Sequence, residues 1–181
     1  EDGITFTDDE GFRYELQEDD NESMGVYTLF VNSLEEVILL YLGDMYDANN
    51  VRRAISTDGG DNFEFDQGNI FGDDDLGGGG RTYVDQKAIV LDDGRVWVIC
   101  MKGGELYSFM SDDDGYTFVL EEGPILIVED FDNYTEYDFV SLHDPIPIIL
   151  PDGRMRIYVT GKYGAEREAQ VLVSATSRIN D

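Results

Sequence analysis

Two aspartates occupy the same place in two copies of one pattern. Asp85, in Tyr83-Val84-Asp85-Gln86, precedes Leu91 by six residues, and Asp144, in Leu142-His143-Asp144-Pro145, precedes Leu150 by six. Each leucine opens a Leu-x-Asp-Gly-Arg turn: Leu91-Asp92-Asp93-Gly94-Arg95 and Leu150-Pro151-Asp152-Gly153-Arg154. Equivalent positions in neighbouring repeats deliver two carboxyl groups to one place. Such a pair can cleave a glycosidic bond, with one group holding a proton and the other ionised. It can instead hold a hard cation such as Ca²⁺ through its oxygens, or cap the start of a strand. Spacing alone leaves all three open. His143 stands beside Asp144 as a ligand contact, and Tyr83 is a candidate sugar contact; Tyr83, Tyr107, Tyr134 and Tyr137 can stack on sugar rings, although in sheets tyrosines more often pack in the core or at the rim.

The elements that position these residues emerge from self-similarity. Thr7-Asp8-Asp9-Glu10-Gly11-Phe12-Arg13-Tyr14, Ser56-Thr57-Asp58-Gly59-Gly60-Asp61-Asn62-Phe63 and Ser111-Asp112-Asp113-Asp114-Gly115-Tyr116-Thr117-Phe118 all read Ser/Thr-x-Asp-x-Gly-x-x-aromatic, 49 and 55 residues apart. In each, the Asp (Asp9, Asp58, Asp113) can accept backbone N–H groups inside a tight turn. The Gly (Gly11, Gly60, Gly115) supplies the positive φ that the turn needs. The Asp-Gly turns are hairpin signals between strand-like runs. Lys87–Leu91, Val96–Lys102, Glu105–Ser111 and Phe118–Glu121 then form a four-stranded antiparallel meander, repeated before and after it. Ser33-Leu34-Glu35-Glu36 ahead of Val37 also reads as a helix-capping box, but alignment with the repeat makes it a hairpin turn.

Four-stranded units of this length are blades of a β-propeller. The boxes resemble the Asp-box (BNR) repeats of sialidase-like propellers. The stretch His143-Asp144-Pro145 through Leu150-Pro151-Asp152-Gly153-Arg154-Met155-Arg156-Ile157-Tyr158 resembles blades of five-bladed arabinanase- and xylosidase-type glycosidases. The fold expected is all-β, a partial propeller of about three to four blades with Asp-box hairpins. A terminal hairpin would lie in 1–20, blades in 24–72 and 81–128, and an incomplete blade in 139–181. The glycosidase resemblance implies that Asp144 acts as base or tunes a neighbour's pKa, with Asp85 its counterpart. It also implies a general-acid Glu from another blade, for which Glu136 and Glu105 are the carriers here. The sialidase resemblance implies arginines gripping a carboxylate, which leaves Arg52, Arg53 and Arg81, because Arg95 and Arg154 sit in turns. The chain lacks the Arg-Ile-Pro segment of that family.

Composition sets the surroundings. The 181 residues carry 40 Asp and Glu against 12 Lys and Arg, for a net charge of −28, which argues against nucleic-acid and anionic-membrane partners. With 41% hydrophobic and 12% aromatic residues, the chain nevertheless folds. Such an excess of acid suits a salty, cation-rich or extracellular setting. The single cysteine, Cys100, excludes an intrachain disulfide and reads as a buried strand residue, and the single His143 excludes a multi-histidine metal site. No apolar run approaches a membrane span. Asn21-Glu22-Ser23 and Asn133-Tyr134-Thr135 fit the N-glycosylation pattern and matter in an exported protein. No cofactor is required by this reading, with Ca²⁺ as an option. The leading expectation is a glycan-recognising, glycosidase-like surface protein. The alternative is a non-catalytic module whose open blade edges assemble with other copies.

Overall fold

The structure is a computed structural model that describes residues 9–20, 22–43, 50–71, 83–131, 138–164 and 169–177. It contains three antiparallel sheets laid side by side, each a meander. The first is β1 (Met24–Val31), β2 (Val37–Gly43), β3 (Asn50–Ser56) and β4 (Glu64–Phe71). The second is β5 (Val84–Val90), β6 (Val96–Lys102), β7 (Glu105–Ser111) and β8 (Val119–Leu120). The third holds β9 (Phe139–Ile149), β10 (Met155–Tyr163) and β11 (Ala169–Thr176). The first strands of successive sheets pack against one another, β1 on β5 and β5 on β9, so they form the innermost layer of a propeller. Among the described residues no helix is long and apolar enough to cross a membrane.

Alternation along each strand builds the core. In β6, Val98 and Cys100 point toward the first blade, while Trp97 and Ile99 point toward the third. Phe30, Ile38, Leu40, Phe71 and Phe109 fill the slot between blades one and two. Leu106, Leu126, Leu142, Ile157 and Val159 fill that between two and three. Each such side chain, buried on folding, contributes about 1.5–3 kcal/mol. Cys100 is fully enclosed, and burial pushes its thiol well up.

The turns behave as their chemistry requires. Asp93 and Asp152 each accept the backbone N–H of the arginine two residues on and pair with its guanidinium at the surface. In the first blade Asn32 replaces the turn aspartate: its Oδ1 accepts the N–H groups of Leu34 and Glu36, and Glu35 adopts φ +62°. Ser33–Glu36 is therefore a hairpin turn and not a helix start. The boxes at Ser56 and Ser111 fold identically. Gly60 and Gly115 each donate N–H to the serine Oγ at 2.9 Å, and Asp58 and Asp113 each accept the N–H four residues on. These hydrogen bonds to the ionised form hold the Asp58 carboxyl down at about 2 and lower that of Asp113 as well. Of the first box, Gly11 takes φ +83°, while Thr7 and Asp8 lie outside the described residues.

The third box, at Ser111, also clasps the first blade. Asp114 Oδ1 accepts the N–H of Ser33, and the Tyr116 hydroxyl donates to Glu36 at 2.6 Å, which pushes its pKa up to about 12. Gly115 is the pivot. Its φ is +88°, and a Cβ there would lie 2.5 Å from the Phe30 ring. Left-handed strain costs about 1–2 kcal/mol and overpacking a further ~1–3. Gly115→Ala is therefore expected to destabilise the fold by about 2–5 kcal/mol, checked by urea unfolding against Gly94→Ala, which has the same φ class and open space around it.

Residues 9–17, expected as part of a terminal hairpin, contain no strand. They run across the outer face of blade one instead and end in a short 3-10 turn, Glu18–Asp20. Tyr14 packs on Tyr41, ring centroids 5.3 Å apart, with the hydroxyls 2.8 Å apart, and Phe63 donates its N–H to the Arg13 carbonyl. Side-chain packing of this one segment, rather than strand pairing, keeps it in place.

Candidate functional site

The start of β5, the β6–β7 turn and the start of β9 meet at one end of the sheets. Val84 pairs with Met101 close to that turn, and Leu142 donates its N–H to the Gly104 carbonyl at 2.8 Å. Gly104 permits this approach: its φ is +95° and a Cβ would lie 2.7 Å from Ser141 Cβ.

Asp85 and Asp144 both sit here, on adjacent innermost strands. Each lies in a β-bulge, between Val84 and Lys87 in β5 and between His143 and Ile146 in β9. Each also takes left-handed backbone, φ +58° and +51°. Left-handed aspartate is uncommon, and paired instances at matching bulges hold two carboxyls in one fixed arrangement. The Asp144 backbone N–H faces the Asp85 carboxyl and favours its ionised form. Asp85 is half-buried, and its pKa is raised, first by burial and then by the negative charge of Asp144; that N–H, His143 and Lys87 oppose the rise. Asp144 is exposed. His143, half-buried, has its Nε2 2.9 Å from Ser141 Oγ. In the first blade the matching bulge, between Gly25 and Tyr27, carries Val26, whose carbonyl accepts a hydrogen bond from the buried Gln86 side chain at 2.7 Å.

Other expected residues are placed differently. Tyr83 is wholly buried, edge-on to Phe71, Phe109 and Tyr107, so its ring is a core element and not a platform for sugar. Its neighbour Lys102, 4.9 Å from that ring centroid, brings a cation to the same end. Neither Lys102 nor Lys87, whose positive charge acts on Asp85, was singled out in the sequence; Lys87 stands two residues from Asp85 on the same strand, which is the signal that could have found it. Arg53 is buried between blades, bound to Asp66 at 2.9 Å and to the Gly115 and Tyr116 carbonyls, so its guanidinium is a structural tie rather than a ligand grip. Arg52 is likewise buried, against Asp20. Glu105 lies at the β6–β7 turn and accepts a hydrogen bond from the Tyr107 hydroxyl. Asp130 caps its own 3-10 turn through the Ile127 N–H. Glu136, Arg81, Asn21, Asn133, Tyr134 and Tyr137 lie outside the described residues. Among the described residues, no group of three or more His, Cys, Asp or Glu is placed to hold a metal ion.

No protein-family model matches this chain, and no curated protein matches it. Solved structures do. An endo-arabinase from Bacteroides thetaiotaomicron aligns with a TM-score of 0.68 at 13% identity, covering 94% of this chain and 62% of that one. An exo-β-1,3-galactanase from Clostridium thermocellum gives 0.60 at 14%, covering 82% and 32%. An α-L-arabinanase from Penicillium chrysogenum, complexed with arabinobiose, gives 0.59 at 13%, covering 85% and 46%. This chain thus spans less than two thirds of each of these proteins. At such identities the likeness is one of fold: the chain is an all-β stretch of β-propeller, with three blades among its described residues, similar to those of arabinanase- and galactanase-type glycoside hydrolases.

Proposed function

We propose that the chain forms the carbohydrate-binding mouth of a glycosidase-like propeller, with Asp85 and Asp144 as its working carboxylates. The observation that carries this reading is the pair of left-handed bulges that bring the two side chains together from adjacent innermost strands. The pair is chemically unequal. Asp85 is held toward its protonated form by burial and by Asp144, while Asp144 is the member exposed to substrate and water. A proton held on one carboxyl and a second carboxylate beside it are what glycoside cleavage requires. Glu105, on the same end, is a further acid at the rim. The similar solved structures include an arabinanase, a galactanase and an endo-1,4-β-xylanase, which supports polysaccharides of arabinose, galactose or xylose as the substrate class. The acidic composition and the two glycosylation patterns support work at the cell surface or outside it, in salt. The sialidase side of the resemblance is supported by the two folded Ser-x-Asp turns alone, and Arg52 and Arg53 are engaged in the core.

The test is calorimetric titration and reducing-sugar release with arabino-, xylo- and β-1,3-galacto-oligosaccharides, on the wild type and Asp144→Asn. Binding of one series that the variant loses supports the reading. Absence of binding to all three overturns it. A chelator arm addresses calcium: a large fall in melting temperature would move Asp85 and Asp144 to an ion-holding role.

A second reading, assembly, rests on exposed apolar stripes at both ends of the three blades. Tyr27, Leu29 and Val31 alternate along the outward face of β1, and Ile146, Ile148 and Leu172 lie on that of β9 and β11. Faces of this kind are covered in a ring. Light scattering in high salt distinguishes a monomer from a head-to-tail oligomer, and Leu29→Glu should disperse the latter.

A further inference from the structure

Strand register puts the three bulges on one level. Val31 opposite Val37, Val90 opposite Val96 and Ile149 opposite Met155 are equivalent rungs. Val26, Asp85 and Asp144 therefore share a level, and Tyr27, Gln86 and Pro145 share the next. Asp85 and Gln86 together oppose Cys100 alone, which leaves this stretch of β5 with fewer ladder bonds to its own sheet. Two hydrogen bonds to blade one take over. Gln86 Nε2 donates to the Val26 carbonyl at 2.7 Å, and the Ala88 N–H donates to Thr28 Oγ1 at 3.1 Å. Neither bond can be repeated between β5 and β9. Pro145 stands at the level of Gln86, and Pro147, at the level of Ala88, has no N–H to give. Lys87 takes the place of Thr28. The backbone around Asp85 is thus tied by side chains toward blade one, and Gln86 is the tie next to it.

Stability alone does not explain this glutamine. Gln86 is wholly buried, yet its Oε1 meets no hydrogen-bond donor among the described residues. An unmet buried acceptor costs at least as much as one net hydrogen bond contributes, so an apolar side chain would hold the fold as well. An apolar side chain would not fix the backbone of its neighbour. Asp85 takes φ +58°, which a residue other than glycine keeps only where its surroundings hold it. Resting on the reading of Asp85 and Asp144 as working carboxylates, we propose that Gln86 is their positioning residue: by pinning the β5 bulge to the Val26 carbonyl, it keeps Asp85 turned toward Asp144. Asp144 and His143 face Asp85 from β9, and Lys87 from its own strand. Lys102 and Glu105 stand at the β6–β7 turn, β1 presents the neutral Val26 and Thr28, and β6 presents the Cys100 thiol. Releasing the bulge lets Asp85 move away from burial and from Asp144, the two causes that raise its pKa, so its proton is held less tightly.

The test is carbon-13 NMR titration of the Asp85 carboxyl in the wild type, Gln86→Met and Thr28→Val. Beside it, kcat and KM are measured on whichever arabino-, xylo- or β-1,3-galacto-oligosaccharide the wild type cleaves. In Gln86→Met, Asp85 should titrate lower than in the wild type, nearer the ordinary carboxylate range. Its kcat should fall by about 10- to 100-fold, with KM within about twofold. The alkaline limb of the pH–rate profile should move to lower pH, because protonated Asp85 is the form that acts. The melting temperature should stay within about 4 °C of wild type. Thr28→Val cuts the other tie and should lower the melting temperature while leaving the Asp85 titration where it is. If Gln86→Met does not fold, Gln86→Asn, a methylene too short to reach Val26, is read the same way. An Asp85 titration that the Gln86 variant leaves unmoved overturns the proposal. An equal shift in Thr28→Val also overturns it, because the effect would then belong to the docking of the two blades at large. So does a raised KM with kcat intact. If the wild type cleaves none of the oligosaccharides, the functional reading falls, while the titration still decides whether Gln86 positions Asp85.

Discussion

Arg52→Ala should cost about 3–5 kcal/mol of stability, a large share of the roughly 5–15 kcal/mol that holds a domain folded. Asp20 is fully buried and its Oδ1 lies 3.1 Å from Arg52 Nε. The other carboxylate oxygen accepts the Tyr41 hydroxyl at 3.1 Å and the Gln17 N–H at 2.7 Å. Gly43 beneath the pair has no room for a side chain, because any Cβ would collide with Asp20 and Arg52. Removing the guanidinium leaves a carboxylate enclosed with neutral donors only. Burial, the hydrogen bond with Tyr14 and the nearby Asp20 charge push the Tyr41 hydroxyl up, so it stays a neutral donor to the carboxylate. Calorimetry should show the melting temperature falling by roughly 6–20 °C. The double variant Asp20→Leu/Arg52→Met, which removes both charges at similar volume, should recover most of the loss. A single variant within about 1 kcal/mol of wild type would mean that the Arg52–Asp20 pair contributes little to holding residues 9–20 on blade one.

Much of this molecule is legible in the sequence because its turns are chemical. An Asp that caps N–H groups and a Gly at positive φ leave a signature that repeats, and the repeat announces the blades. Counting back from Leu91 and Leu150 finds Asp85 and Asp144 for the same reason. What escapes is parity and tertiary choice. The bulges at Asp85 and Asp144 break the two-residue alternation, so simple counting aims Tyr83 at the channel when it points into the core. Arg53 lies opposite Leu40 on the slot-facing side of its sheet, a fact that depends on register and not on composition. Tyr14 and Asp20 belong to a segment whose place is set by Tyr41 and Arg52, far away in the chain. Side chains that answer to local turn chemistry can be read early, and those that answer to a partner across a sheet cannot.

The sharpest separation of function from stability lies in Asp144→Asn. On the proposed reading this change removes one of two working carboxyls, and hydrolysis should fall by about 10²–10⁴-fold. The same change should make the protein more stable at neutral pH. The Asp85 pKa is raised in the folded state, so the folded chain binds that proton more tightly than the unfolded chain does. Stability therefore declines as pH rises from the ordinary carboxylate range through the folded value of Asp85, and the penalty is complete above it. The substituted side chain leaves the backbone N–H to Asp85 in place but removes the negative charge, the second-largest cause of the shift. The variant should thus melt higher than wild type at pH 7, and the difference should shrink as pH falls below the ordinary carboxylate range, where Asp85 is protonated in both the folded and the unfolded chain. Melting curves between pH 3 and 8, taken beside oligosaccharide hydrolysis at each pH, test both halves. A variant that is inactive and less stable at pH 7 would mean that Asp144 props up its bulge. One that is more stable yet fully active would take the chemistry away from this pair. Only gain of stability together with loss of turnover fits two carboxyls held against their mutual repulsion for the sake of a substrate.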